Sequence, residues 1–130
     1  MQEHPAYLDR LPDPARTLLL VAAADDPKVI AIGECGLDYF RNYSPHEDQE
    51  RAFIAHIGLA KSYDKALVIH TRDSVADAMA MLEDARPPRR LVFHCWSAGL
   101  GDLDRALALG AYVSFAGNVT FKNAPLLREA

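Results

Sequence analysis

The sequence predicts an α/β fold: a parallel sheet with helical crossovers, amounting to about four βα units of an incomplete (β/α) barrel. Three observations predict it. Short apolar runs alternate with amphipathic stretches of helical period along the chain. The first run, Val29–Ile32, is continuous, as in strands covered on both faces. Glu34, His70 and His94 each stand at the carboxyl end of such a run, the end that opens onto the site-bearing face of a parallel barrel.

Totals bound the reading. The 130 residues have the size of one domain, and 1–130 is read as a single partial domain. Half are apolar and a quarter charged, as in globular chains. The net charge of −4 argues against binding nucleic acid through a broad basic surface, so bound metal must supply much of the positive charge toward any phosphate ester. No apolar run approaches the roughly 18 residues of a membrane helix, and the opening MQEHPAYLDR is polar; a cytoplasmic location without membrane contact is expected. Cys35 and Cys95 form no CxxC pair and read as small reduced residues, with a disulfide or a thiolate ligand as the alternatives.

The elements follow in order. Met1–Leu11 is loop-like. Pro14–Ala24 reads as a helix with Ala15, Leu18, Leu19 and Ala22 on one face. The strand from Val29 to about Gly33 leads to Glu34, and Leu37–Ser44 reads as a loop. Pro45–Lys61 is a helix with Ser44 as N-cap, Pro45 at its first position, acidic residues in its first turn, and a buried stripe of Phe53, Ile54, Ile57 and Ala60. Ala66–His70 is a strand. A helix beginning at Asp73 or Ser74 carries Val75, Ala78, Met79 and Leu82 at helical spacing. Leu91–His94 is a strand, and Gly99–Gly110 holds a helix with Leu103, Ala106 and Leu107 inward. Ala111–Phe115 is the last strand, and Pro125–Ala130 a final helix.

Glu34, His70 and His94 lie 36 and 24 residues apart, one or two βα connections each. One carboxylate and two imidazoles converging on a barrel mouth suit zinc, manganese and related ions. A single strand-end histidine is more simply a satisfied core residue, and a lone strand-end glutamate an arginine's partner; three coincident strand ends favour a metal site. Arg72 at the same mouth binds an anion or pairs with Asp73. Asp38 caps its loop or supports the site. His56 reads as packing and His46 as solvated. Lys122 is a weaker anion candidate.

At these residues the chain resembles the TatD-type metal-dependent hydrolases, many of which are deoxyribonucleases. The matching segments are IGECGLDYFR (Ile32–Arg41), VIHTRD (Val68–Asp73), FHCWSAG (Phe93–Gly99) and SFAGNVTFKN (Ser114–Asn123), with His4-Pro5 resembling an earlier family element. The resemblance implies a TIM-like barrel, one or two divalent cations (Mg, Mn or Zn), and Glu34, His70 and His94 as metal ligands. It implies phosphodiester hydrolysis, typically at a DNA 3′ end, by metal-activated water. Glu34 would hold or bridge the metals and orient the water. His70 and His94 would fix the second metal, and Arg72 would steady a phosphate oxygen. Some members act on other esters, including misacylated tRNA. The family pattern also has a His-x-His strand and a later Asp ligand, and this sequence contains neither. The reading is therefore of a barrel lacking its first and last parts, with self-association through open sheet edges. The alternatives are a related hydrolase on another ester or amide, or a catalytically inactive fragment.

Overall fold

The structure, a computed structural model, describes residues 22–130. The His4-Pro5 element and most of the expected helix Pro14–Ala24 lie outside the described residues; 22–24 are helical. The described chain runs β1 (Ala31–Asp38), α1 (His46–Ser62), β2 (Ala66–Arg72), α2 (Val75–Ala85), β3 (Leu91–Phe93), α3 (Leu100–Ala108), β4 (Tyr112–Val113), a 3-10 turn (Gly117–Thr120) and α4 (Pro125–Glu129). The strands form one sheet in the order β1-β2-β3-β4, with every neighbouring pair parallel. This is the expected incomplete α/β barrel: eight strands close such a barrel, and four make an open arc.

Burial shows which face the helices cover. Along β2, Leu67, Ile69 and Thr71 are buried, while Ala66, Val68 and His70 are half-buried and Arg72 is exposed. Strand side chains alternate between faces, so the first set packs under the helices and the second lines the open, concave face. Leu91 and Phe93 of β3 join the covered set. α1 contributes Phe53, Ile57 and Ala60 to the core, and α2 contributes Ala78, Met79 and Leu82. Continuous apolar runs therefore do not mark full burial here. Ile30, in the run expected to be covered on both faces, is 81 % exposed.

Several boundaries differ from the sequence reading. β1 does not stop at Gly33. It runs on through Glu34 to Asp38, so Glu34 lies inside the strand and Leu37 and Asp38 are not loop. Ile32 pairs with Leu67, and Cys35 with Ile69. β1 thus advances three residues while β2 advances two, which is a bulge that restarts the ladder beyond Glu34. Gly36 permits the close approach: a Cβ there would lie 1.9 Å from the His70 carbonyl oxygen, at a φ of +134°.

Ser44 is not the N-cap of α1. Pro45 occupies that place, its carbonyl accepting from the Asp48 and Gln49 N–H groups, and the Ser44 carbonyl accepts from Gln49 Nε2. Ile54 and Leu107, expected inward, are exposed because they lie beside rather than on the covered stripes of α1 and α3. β4 has two residues rather than five, since β3 itself gives way at His94 and Cys95, where Cys95 takes a φ of +55°. Among the described residues, no helix is long and apolar enough to cross a membrane.

Candidate metal centre

The β1 bulge and the alternation of β2 bring Glu34 and His70 together on the concave face. His70 Nδ1 lies 3.1 Å from Glu34 Oε1, and His70 Nε2 lies 3.0 Å from Asp38 Oδ2. The imidazole is thus held between two carboxylates. All three side chains keep about a fifth to a quarter of their surface, so the cluster is reachable but shielded.

Asp38 is the most firmly held of the three. Its backbone N–H donates to Gln49 Oε1 at 2.8 Å, and Gln49 Nε2 donates back to its carbonyl at 3.3 Å. Its Oδ1 accepts from the N–H groups of Phe40 and Arg41 at 3.1 and 2.9 Å, leaving Oδ2 for His70. Burial pushes the Asp38 pKa up, but hydrogen bonds from the Arg41 N–H, His70 and the Phe40 N–H outweigh it and hold the carboxyl below the usual carboxylate range. An ionised carboxylate only accepts, so Nε2 of His70 carries the proton that faces it.

That assignment directs the Nδ1 lone pair at Glu34. Two facing acceptors need something between them, either a proton or a cation. Adjacent O and N ligands at roughly 2.1 Å from one ion stand about 3.0 Å apart at an octahedral angle and about 3.4 Å apart at a tetrahedral one. The 3.1 Å separation of Oε1 and Nδ1 falls within that range. A ring nitrogen facing a metal while the other donates to a carboxylate is the usual support of a metal-bound histidine. The Glu34 and His70 donors therefore fit a divalent cation.

His94 follows β3 directly. Its Nδ1 lies 3.1 Å from Ser114 Oγ, which also accepts from the Cys95 N–H at 3.2 Å. The Ser114 backbone is pinned as well: its N–H donates to Phe93 O, and its carbonyl accepts from the Trp96 N–H. Among the described residues, this bracing leaves Nε2 of His94 as the ring nitrogen without a hydrogen bond. Among the described residues, no group of three or more His, Cys, Asp or Glu side chains is poised around one ion.

Arg72 lies at the mouth, two residues beyond His70. Its guanidinium lies over the Phe40 ring at 3.8 Å, and among the described residues it has no ion pair with Asp73. Cys35 is a free thiol, and burial, helped by the Glu34 charge, pushes it up to about 12. His46 is not simply solvated but stacks on Tyr39 at 3.7 Å and bonds Asn42. Sequence reasoning gave no role to Gln49 or Ser114. Ser114 opens a family-like segment, which was a signal of place without chemistry.

Comparison with known proteins agrees with this architecture. The sequence profile of the family described as TatD related DNase matches residues 3–130. An Escherichia coli protein named uncharacterized metal-dependent hydrolase YcfH is 38% identical over 108 residues, covering 82% of this chain and 41% of that protein. A Pantoea vagans protein named 3'-5' ssDNA/RNA exonuclease TatD is 41% identical over 95 residues, covering 72% of this chain and 36% of its own length. The crystal structure of YJJV, a TatD homologue from Escherichia coli, superposes with a TM-score of 0.84 at 30% identity, over 97% of this chain and 49% of that one. This chain thus spans about half the length of that structure, and less of the curated relatives.

Proposed function

Because this chain belongs to the TatD-related DNase family of metal-dependent hydrolases, we propose that it is a single partial domain of a deoxyribonuclease that removes nucleotides from a single-stranded 3′ end. The observation carrying this reading is the Glu34–His70–Asp38 cluster, a carboxylate and an imidazole at ligand spacing with the second ring nitrogen braced. A relative named as a 3'-5' ssDNA/RNA exonuclease supports the substrate class.

Glu34, His70 and His94 are the proposed metal ligands. Magnesium, manganese or zinc would supply a Lewis acid toward the phosphoryl oxygen and lower the pKa of bound water to about 7. Glu34, the proposed catalytic residue, orients the attacking water through its second carboxylate oxygen. Asp38 fixes the tautomer and angle of His70, Ser114 does the same for His94, and Arg72 offers its guanidinium edge to a phosphate oxygen. The open sheet edge at β4, with Tyr112 beside it 73 % exposed, supports self-association of the isolated chain.

Cleavage of end-labelled single-stranded DNA by this chain, with and without manganese and beside Glu34→Ala, tests the reading. Metal-dependent cleavage lost in Glu34→Ala is the expected result. Turnover of small esters without DNA cleavage would favour a related hydrolase, and no turnover of either would favour an inactive fragment.

A further inference from the structure

Two exposed aromatic rings stand at the mouth of the candidate site, each with an arginine laid on it. Phe40 is 59 % exposed although the Arg72 guanidinium lies 3.8 Å from its ring centre, so its remaining surface is open. Tyr43 is 83 % exposed, with the Arg41 guanidinium 6.0 Å from its ring centre. Burial explains neither ring, since both stand outside the core on a surface facing solvent.

The loop that carries them is tied to the site. Asp38 holds His70 with one carboxylate oxygen and the Phe40 and Arg41 N–H groups with the other. The Tyr39 N–H donates to the Arg72 carbonyl at 2.9 Å, which keeps the loop in register with β2. One side chain thus fixes both the imidazole and the backbone that carries Phe40 and Arg41.

We propose that Phe40 and Tyr43, with Arg72 and Arg41, form a stacking platform for the bases of a single-stranded nucleic acid whose phosphate lies at the Glu34–His70 cluster. This rests on the nuclease reading above and names where its substrate is held. Every base presents a π-face, so aromatic platforms bind single strands with little sequence preference, and arginines add cation–π and phosphate contacts. With a net charge of −4, the chain has no broad basic field to hold a polyanion. Apart from bound metal, stacking and two local cations are then the available source of affinity. A duplex keeps its bases stacked inside and offers the platform nothing.

The test is fluorescence anisotropy of the full chain with labelled oligodeoxythymidine, a matched abasic oligomer and a duplex, in EDTA so that no cleavage intervenes. Phe40→Ala and Tyr43→Ala are each expected to raise the Kd for oligodeoxythymidine about tenfold and to leave the abasic oligomer unchanged. Phe40→Leu keeps the bulk without the π-face and should behave like Phe40→Ala, whereas Phe40→Trp should restore binding. Tyr112→Ala, an exposed aromatic on β4, serves as control. The platform is overturned if the parent binds oligodeoxythymidine and the Phe40 and Tyr43 variants bind it equally well, or if they lose the abasic oligomer in the same proportion. A parent that binds no single strand in EDTA also overturns the platform, whereas the nuclease reading stands or falls separately on metal-dependent cleavage of single-stranded DNA.

Discussion

β1 and β2 pair along strands of eight and seven residues, whereas β3 and β4 pair along strands of three and two. The long pair holds His70 between Glu34 and Asp38, with Gln49 clamping Asp38 from α1. The short pair holds His94 through one hydroxyl, Ser114 Oγ. Around the short pair, Tyr112, Phe115, Phe121 and Leu126 are exposed. The difference teaches where geometry is fixed by the described residues themselves. Glu34 and His70 are set by a sheet with covering helices on one face, while His94 follows β3, beside β4 at the end of the described strand order.

The largest way to break this contrast is Gly36→Ala. The added Cβ would meet the His70 carbonyl at 1.9 Å in a backbone conformation unfavourable to alanine, whereas at Gly117 it meets nothing within 4 Å. Gly36→Ala should destabilise by about 3 kcal/mol or more in urea unfolding, with Gly117→Ala nearly neutral. Ile69→Ala, under the same half of the sheet and fully buried, should cost about 2–5 kcal/mol.

Metal affinity sharpens the contrast. Asp38→Asn removes the ionised acceptor for His70 and should weaken manganese or zinc binding about 10- to 100-fold by calorimetry. Ser114→Ala leaves the Glu34–His70 pair intact and should weaken it less, with Ser114→Thr recovering the loss. Equal effects from Asp38→Asn and Ser114→Ala would mean that the two histidines contribute alike. The smallest effect is chemical. With Cys35 pushed up to about 12, its thiolate absorbance should stay absent on raising the pH through 9 and emerge only near 12, and alkylation at pH 8 should spare it.

Much of this was legible because strand ends and helix stripes are local patterns. Val75, Ala78, Met79 and Leu82 place α2 within a residue or two, and Pro125 places α4. The parallel order follows from alternation alone. The β1 bulge was not legible: nothing in VIAIGECGLD says that Glu34 is followed by four more strand residues, since Gly33 and Gly36 read as breakers until β2 is seen to pass against them. Asp38 was open between capping and support because it does both, one oxygen each. Ser114 and Gln49 act through contacts with residues 20 and 11 positions away, which no local pattern encodes.

The central claim is that Asp38 holds the proton on His70 Nε2 and so turns Nδ1 toward Glu34 and a cation. Long-range proton–nitrogen NMR of the histidine rings during a zinc titration tests it most directly. The account predicts that His70 Nδ1 takes the metal-bound shift while Nε2 stays protonated, and that Asp38→Asn abolishes this response. Zinc on Nε2, or a His70 ring unchanged while zinc binds elsewhere, would contradict it.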